Sequence, residues 1–464
     1  MTKGKSEQSP AGRTQSRPEA SSGLARLRQA ASRDKQLRFT TLMHHVTVDL
    51  LRDAYYALKR NVAPGVDGVT WKEYGENLEA RLADLHHRLQ SGRYRAQPSK
   101  RRWIPKPDGR LRPLGIACLE DKIAQQALVM VLNEIYEEDF LGFSYGFRPG
   151  RGPHDALDAV WVGIKQRKVN WVLDVDIRSF FDTIDHGKLM ELLEVRIADR
   201  RVLRLIAKWL RAGVSEDGQW SKTTVGSPQG AVVSPLLANV YLHYVFDQWV
   251  QRWRSQQAHG DVIVVRYADD VVLGFQDRQE AEGFLVALRD RMAAYGLELH
   301  EGKTRLIAFG RFAIANRAAR GEGKPETFAF LGFTHICAKQ RSDGGFTILR
   351  KSIGKRLRQK VHEIRQTLLR CRHRPVVEQG RWLRSVVQGF FNYHAVPGNR
   401  RALQTFRTEI NRAWLRALRR RSQKGRRLKW DRMKRLIATW IPTVKVRHPY
   451  PNQRLTVGPK VGAV

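Results

Sequence analysis

Two adjacent carboxylates near the middle of the chain are the first candidates for chemistry. Asp269 and Asp270 form a short polar break between two runs of aliphatic residues in VIVVRYADDVVLGF (262–275). These runs predict two buried strands joined by a hairpin. Carboxylates at a tight turn between apolar strands are costly unless a cation neutralises them, and their hard oxygen atoms suit Mg²⁺. An ordinary hairpin turn with both side chains in water explains this stretch equally well.

A second pair of carboxylates lies upstream, in the stretch VNWVLDVDIRSFFDTID (169–185). Alternation along a strand places Asp174 and Asp176 on one face and the aliphatic residues between them on the other. A strand with carboxylates on one face and aliphatic residues on the other suits a metal site. The common alternative is an exposed antiparallel strand whose polar residues face water.

Two further segments have the composition of phosphate or nucleotide contacts. In RRWIPKPDGRLRPLGI (101–116) the PDG sequence (107–109) predicts a hairpin turn, with Lys106 and Arg112 among the alternating basic residues around it. Such a hairpin can hold a triphosphate, although a solvated charged hairpin is the simpler interpretation of this segment alone. In GSPQG (226–230) the glycines permit close approach of another backbone or a nucleotide.

The net charge of the whole chain indicates which kind of molecule the protein binds. Its 464 residues include 83 Lys and Arg against 45 Asp and Glu, a net charge of +38 with a pI near 10.8. This imbalance argues against a typical enzyme of small molecules and, with interleaved aromatic residues, favours nucleic acid over a membrane surface. Three widely spaced cysteines predict a reducing compartment. No apolar run approaches the ~18 residues of a membrane span, and the N-terminus lacks the apolar core of a signal peptide, so we expect a cytoplasmic or nucleoid-associated protein.

The positive charge is concentrated towards the end of the chain. Residues 400–435 contain 15 Lys or Arg against two acidic residues. Ile410, Trp414 and Leu418 share one face of a predicted helix and would dock it on the protein. The opposite face would present Arg412, Arg416, Arg419 and Arg420 to phosphates.

Taken in order, these segments resemble the group II intron-encoded reverse transcriptase/maturase family. The resemblance runs from about residue 61 to about residue 447. It rests on APGVDG (63–68), IPKPDGRLRPLGI (104–116), YGFRP (145–149), DIRSFFD (176–182), GSPQGAVVSPLLANVYL (226–242), YADD (267–270), GLELHEGKT (296–304) and FAFLGF (328–333). Each motif is weak alone, but eight in the family's order are specific.

The resemblance implies an α+β fold shaped as a right-hand polymerase. Residues 1–37 would be a flexible basic N-terminal arm, for which a solvated tail is the default interpretation. Residues 38–345 would form the fingers and palm, built from an antiparallel sheet and helices. Residues 346–435, with WLRSVVQGFFNYH (382–394), resemble the α-helical thumb or maturase domain, and residues 436–464 a short nucleic-acid-binding tail.

The resemblance also implies the site residues. The ligands of two Mg²⁺ ions would be Asp176, Asp269 and Asp270, and Lys303 would donate a proton to pyrophosphate. Asp174 does not match the motif and is left out. The nucleotide contacts would be Lys106, Arg112, Phe181, Gln229 and Gly230, with Phe181 as the steric gate against a 2′-hydroxyl. Arg148 would be a phosphate or template contact.

The implied function is an RNA-directed DNA polymerase that binds group II intron RNA, assists its splicing and copies it into cDNA during retrohoming. Its partners would be intron RNA, target DNA with a primer 3′ end, and dNTPs. Many relatives continue into an HNH endonuclease with cysteine pairs, and we expect none here because the chain has no CxxC. The alternatives are a splicing-only, RNA-binding maturase and a domesticated or retron-like defence reverse transcriptase.

Overall fold

The computed structural model describes residues 16–105, 111–216, 219–221, 225–227, 230–340 and 342–454 of the chain. The helices are α1 (Ser16–Arg33), α2 (Val48–Ala57), α3 (Trp71–Gly75), α4 (Leu78–Gln90), α5 (Leu119–Asp139), α6 (Pro153–Gln166), α7 (Phe180–Thr183), α8 (His186–Glu194), α9 (Arg200–Arg211), α10 (Ser234–Leu242), α11 (Gln248–Gln256), α12 (Arg278–Ala294), α13 (Ala313–Ala319), α14 (Gly354–Arg370), α15 (Val376–His394), α16 (Arg400–Arg419), α17 (Gln423–Arg426), α18 (Trp430–Trp440) and α19 (Pro451–Arg454). A 3₁₀ turn (Met43–His45) precedes α2, and a π-helical turn (His243–Asp247) joins α10 to α11.

The strands are β1 (Ser99–Pro105), β2 (Leu111–Ile116), β3 (Trp171–Asp176), β4 (Val214–Glu216), β5 (Gln219–Ser221), β6 (Val262–Tyr267), β7 (Asp270–Phe275), β8 (Arg305–Ala308), β9 (Phe328–Phe330), β10 (Phe333–Lys339) and β11 (Phe346–Ser352). They form three sheets, with orders β2-β1-β4-β5, β6-β7-β3-β8 and β11-β10-β9. The chain divides into two compact units. Unit 1 takes the described parts of Met1–Arg151, Ile177–Gln256 and Val286–His300, and unit 2 those of Gly152–Asp176, Gln257–Leu285 and Glu301–Val464.

Unit 1 is mainly helical, and α5 runs through its core. Ile123, Ala127, Val131 and Ile135 recur every four residues along α5 and are fully buried, as helical periodicity requires of a core helix. The sheet β2-β1-β4-β5 belongs to the same unit. Its β1 and β2 are antiparallel and pair from Lys100 with Ile116 to Pro105 with Leu111, which confirms the predicted basic hairpin.

The N-terminal segment departs from the expectation of a flexible arm. Residues 16–33 form α1, which packs on α5 with Leu27 and Ala31 buried. Arg28 pairs with Glu138 of α5 at 2.7 Å. The expectation is therefore wrong for α1, because a few apolar contacts and an ion pair to α5 hold this helix. The rest of the expected arm before residue 16 lies outside the described residues.

The central sheet of unit 2 contains the two carboxylate segments. Strands β6 and β7 are antiparallel, as the hairpin prediction required, and β3 lies beside β7 rather than at an edge. Leu173 and Val175 of β3 are buried, and helix α6 packs against β6. The alternating pattern therefore directs the aliphatic residues of β3 into the core and leaves its two aspartates on the opposite face.

The C-terminal helices form a second core in unit 2. Trp414, Phe406 and Ile410 of α16 pack with Leu383, Val387 and Phe391 of α15 and with Met433 of α18. An ion pair fixes the neighbouring sheet β11-β10-β9 to α6, since Arg350 contacts Asp158 at 2.5 Å and both side chains are almost fully buried. Arg454 of α19 reaches the second oxygen of Asp158 at 3.3 Å.

The mixed helix and antiparallel-sheet architecture confirms the predicted α+β class. The predicted domain boundaries after residues 345 and 435 both fall inside unit 2, and these boundaries stay predictions. Within the described part of the chain, no helix has the length and apolar character needed to cross a membrane.

Candidate active site

The pairing of β3 with β7 brings the predicted metal ligands together. Asp176, the last residue of β3, lies opposite Asp270, the first residue of β7. Asp269 precedes Asp270 in the turn between β6 and β7. Two carboxylates from distant parts of the sequence therefore share one end of the sheet of unit 2, with a third beside them along the chain.

The turn that carries Asp269 has an unusual backbone. Ala268 adopts a left-handed conformation with φ of 57°, which is uncommon for a residue with a side chain and clusters at functional sites. The buried guanidinium of Arg266 donates through Nη1 to the carbonyl oxygen of Ala268 at 3.1 Å. This hydrogen bond supports the turn from inside the protein.

The electrostatics of the site favour a bound cation. The pKa of Asp270 is raised to about 7, first because surrounding protein atoms desolvate its carboxylate, and then by the negative charges of Asp269, Asp176 and Asp174. Asp174 has its pKa raised to about 6, mainly by burial, against the opposing effect of Arg305. Carboxylates that repel one another in this way gain from any positive charge placed among them.

Lys303 supplies one such charge. Its Nζ lies 3.1 Å from both carboxylate oxygens of Asp176. The side chains are about half and one-third exposed, so this ion pair faces water. Next to it, the backbone amide of Asp176 donates to Thr304 Oγ1 at 3.4 Å. The structure therefore places the predicted lysine against a predicted metal ligand.

Two charged residues near these carboxylates were not among the predicted site residues. Asp174 had been left out, and it lies opposite Arg305 of β8, whose Nη2 is 4.0 Å from its carboxylate. Arg356 of α14 lowers the pKa of Asp270, against the larger effect of burial. The alternation of β3 gave a sequence signal for Asp174, but no local pattern links α14 to the turn.

The donor set fits a hard divalent cation. All three predicted ligands are carboxylates, which Mg²⁺ and similar ions prefer. Within the described residues, however, no group of three or more His, Cys, Asp or Glu side chains is arranged so that it could hold a metal ion. The fit therefore rests on the facing pair Asp176 and Asp270, and it agrees with the pKa of Asp270, which burial and then the neighbouring negative charges raise.

Three of the predicted nucleotide contacts are described by the structure, and all three lie in unit 1: Arg112, Phe181 and Gly230. Phe181 lies in α7, with its ring 5.4 Å from that of buried Phe180. Its carbonyl accepts from Ser227 N at 2.7 Å, and Gly226 N donates to Ile184 O at 2.8 Å. Gly226 has φ of 88°, and a Cβ there would lie 2.9 Å from a backbone oxygen, so only glycine permits this close approach.

The other end of the same loop approaches the basic hairpin. Gly230 has φ of 112°, and a Cβ there would lie 2.7 Å from Gly115 O of β2. Arg112 is exposed on β2, three residues before Gly115. Gly226 thus lies against α7 and Gly230 against β2, as close approach through the glycines predicts. Lys106 and Gln229 lie outside the described residues.

The structure corrects the prediction that Arg148 contacts a phosphate or the template. Its side chain is only 3% exposed, and all its nitrogen atoms are engaged. Nε and Nη2 contact the carboxylate of Glu137 at 2.9 to 3.1 Å, and Nη1 donates to Leu141 O and Ser144 O. Such a guanidinium cannot reach a template phosphate, so the predicted nucleic-acid contact is wrong and Arg148 instead fixes the end of α5 to the following loop.

The basic residues predicted on α16 do face solvent. Ile410, Trp414 and Leu418 are buried, and the four arginines of the opposite side are exposed: Arg412, Arg416, Arg419 and Arg420. Arg412 pairs with Glu409 at 2.8 Å, and Arg419 donates to Leu428 O at 3.0 Å. The predicted arrangement of faces is confirmed, whereas the RNA-binding role stays a prediction.

Comparison with known proteins gives a consistent picture. Residues 104–335 match the family described as reverse transcriptase (RNA-dependent DNA polymerase). Protein YkfC of Escherichia coli K12 is 36% identical over 333 residues, covering 63% of this chain and 87% of that protein. The group II intron-encoded protein LtrA of Lactococcus lactis subsp. cremoris is 37% identical over 210 residues, covering 44% of this chain and 34% of LtrA. An uncharacterized 91 kDa protein in the cob intron of Schizosaccharomyces pombe is 37% identical over 212 residues, covering 45% of this chain and 25% of that protein.

Proposed function

We propose a mechanism and a biological role for this chain, which belongs to the reverse transcriptase family of RNA-directed DNA polymerases and, within it, to the group II intron-encoded reverse transcriptases and maturases. Reverse transcriptases as a family use divalent metal ions. The observation that carries the mechanism is the pairing of Asp176 with Asp270 across β3 and β7. It supports this end of the sheet as the place of nucleotidyl transfer.

In the proposed reaction the primer 3′ hydroxyl loses its proton to water, its oxygen forms a bond to the α-phosphorus of a dNTP, and the bond from that phosphorus to pyrophosphate breaks. Asp176, Asp269 and Asp270 would hold two Mg²⁺ ions, whose chemistry when bound would be activation of the hydroxyl and stabilisation of charge on the leaving group. Lys303, whose Nζ already lies at Asp176, donates a proton to the departing pyrophosphate.

The nucleotide contacts of the proposal come from unit 1. Lys106 and Arg112 bind the triphosphate, because cationic side chains bind phosphate oxygens strongly. Phe181 excludes a 2′-hydroxyl and so selects deoxynucleotides. Gln229 and the Gly230 backbone line the nucleotide and template pocket. The close approach of Gly226 to the backbone of α7, and that of Gly230 to the backbone of β2, support this role because they fix the two ends of the loop.

The proposed partners are group II intron RNA, a target DNA that supplies a primer 3′ end, and dNTPs. The exposed arginines of α16 bind phosphates of the intron RNA, which the protein helps to splice and then copies during retrohoming. Support comes from the relative named as a group II intron-encoded protein and from the net charge of +38. That the protein works in a cytoplasmic ribonucleoprotein stays a prediction from the sequence.

Metal binding at the carboxylates can be tested with two matched variants of one strand. We expect Asp176→Asn to weaken binding of Mn²⁺, used as a paramagnetic substitute for Mg²⁺ and followed by electron paramagnetic resonance of the free ion. Asp174→Asn removes a carboxylate from the same face of β3 but retains the proposed ligands, so its Mn²⁺ binding should stay close to that of the wild type. Equal weakening in both variants, or in neither, would contradict the proposed ligand set.

A further inference from the structure

A basic groove in unit 1 lies outside the residues assigned so far. It is open to solvent, has a volume of about 450 Å³ and is formed by the segment after α4 and by one side of α9. Its lining residues are Tyr94, Arg95, Ala96, Arg204, Ala207, Lys208 and Arg211. Four of these seven side chains are cationic and none is acidic, so the groove suits a polyanion. We call it the α9 groove.

The sequence of α9 explains the groove. Val202, Ile206 and Trp209 are buried on one side of the helix. The exposed cations recur every three or four residues, at Arg200, Arg204, Lys208 and Arg211, and therefore form one stripe. From first to last this stripe runs roughly 16 Å along the helix axis. It can follow several consecutive phosphates of a nucleic-acid strand.

Hydrogen bonds hold the two sides of the groove together and leave its positive charge uncompensated. Lys208 Nζ donates to Gly92 O at 3.0 Å and to Tyr94 O at 2.7 Å, which ties the segment after α4 to α9. The hydroxyl of buried Tyr94 accepts from Trp209 Nε1 at 2.9 Å. Throughout the described ranges, no carboxylate forms an ion pair with a cationic side chain of the groove. The positive charge of this surface therefore remains for a ligand.

An exposed tryptophan extends this surface. Trp220 of β5 is 59% exposed, and its Nε1 donates to Ala212 O at 3.1 Å. This hydrogen bond holds the indole at the C-terminal end of α9, one residue after Arg211. Gly213 has φ of 80°, and a Cβ there would lie 2.5 Å from the indole nitrogen, so glycine is required for the contact. A solvent-facing indole, fixed at the end of a helix that carries exposed cations, is a platform on which an unpaired base can stack.

We propose that the α9 groove and Trp220 form a binding site for single-stranded RNA. Phosphates would lie along Arg95, Arg204 and Arg211, and one base would stack on Trp220. The stacking platform favours an unpaired strand over a duplex, in which the bases are already stacked. The assignment to RNA rests on membership of an RNA-directed polymerase family, whereas the groove itself is independent of the proposed metal ligands.

The salt dependence of RNA binding by the full chain tests the charged part of the site. The probe is a fluorescein-labelled oligouridylate, followed by anisotropy across a range of salt concentrations. Replacing Arg95, Arg204 and Arg211 by Gln should lower the slope of log affinity against log salt by about 2, since each phosphate contact to a single strand contributes about 0.7.

The matched control removes three charges from scattered exposed positions by Lys72→Gln, Arg289→Gln and Lys324→Gln. Its slope should remain near that of the wild type. An unchanged slope in the groove variant would overturn the proposal, because the three arginines would then contact no phosphates. An equal loss in the control would also overturn it, because the effect would then come from the total charge and not from the groove.

Trp220 tests the stacking part. Trp220→Ala should weaken oligouridylate binding roughly tenfold or more, whereas Trp220→Phe should keep most of the affinity because an aromatic face remains. Equal affinities of Trp220→Ala and the wild type would overturn the stacking role. Tighter wild-type binding to an RNA duplex, or to an oligodeoxythymidylate, than to the oligouridylate would overturn the assignment to single-stranded RNA.

Extension of a short primer–template separates this site from the polymerase. The Gln variant of the groove should extend it at the wild-type rate, and loss of extension would overturn a separate site by placing these residues in the polymerase machinery. If the wild type extends no primer but shows the predicted groove effects on RNA binding, the groove stands while the proposed polymerase mechanism fails.

Discussion

Replacement of Lys303 separates two roles that the structure allows for this lysine. Its Nζ lies 3.1 Å from both oxygens of Asp176, in an ion pair whose side chains are 49% and 34% exposed. Exposed pairs of this kind contribute about 0–1 kcal/mol to stability. Lys303→Met should therefore change the free energy of unfolding by less than about 1 kcal/mol. A proton donor contributes far more to rate, typically about 10²- to 10⁴-fold.

The assay is single-nucleotide incorporation by rapid quench, at saturating dNTP and Mg²⁺, beside thermal unfolding. Lys303→Met should slow incorporation by about 10²-fold or more while the protein stays folded. Lys303→Arg keeps the positive charge, but a guanidinium does not give up a proton near neutral pH, so it should be slow as well. Lys324→Met, at an exposed lysine of the same unit, should leave the rate unchanged.

Two results would refute the proton-transfer role. If Lys303→Met incorporates nucleotides at nearly the wild-type rate, the lysine is only the partner of Asp176 in an ion pair. If Lys303→Arg restores the rate lost in Lys303→Met, positive charge rather than a transferable proton is what the site requires.

The remaining predictions concern stability, sugar selection and RNA contact. Asp158→Asn should lower the free energy of unfolding by about 3–5 kcal/mol in urea denaturation, because it leaves the buried guanidinium of Arg350 without its main countercharge; a loss of a few tenths would mean that the pair does not hold the sheet. Phe181→Ala should raise ribonucleotide incorporation relative to deoxynucleotide incorporation, and an unchanged ratio would make Phe181 a core residue only. Replacing the α16 residues Arg416 and Arg419 by Gln should lower the salt slope of intron RNA binding by about 1–2, and an unchanged slope would make that side of α16 an ordinary solvated face.

Local sequence patterns predicted the elements of the site but not their pairing. Alternation identified β3, and the aliphatic runs identified the hairpin of β6 and β7. Nothing in either stretch says that Asp176 lies opposite Asp270, because strand pairing depends on contacts between residues far apart in sequence. The family resemblance supplied that link, and the register of β3 and β7 agrees with it.

The predictions that were wrong, and the residue that was not predicted, have the same physical origin. Arg148 follows a turn-rich motif and resembles a free cation, but Glu137 and two backbone carbonyls surround its guanidinium in the fold. The polar, basic composition of α1 predicts a solvated arm, yet α5 provides a surface on which it packs. Arg356 acts on Asp270 through tertiary structure alone. In each case a distant partner decides the role of the residue.

Primer extension with Asp269→Ala beside the wild type tests the central claim most directly. The reaction contains the purified protein, an RNA template with an annealed DNA primer, dNTPs and Mg²⁺. Binding of the same RNA is measured in parallel. We predict extension by the wild type, none by Asp269→Ala, and RNA binding nearly equal in the two proteins. Extension by Asp269→Ala at the wild-type rate would contradict the proposed metal site.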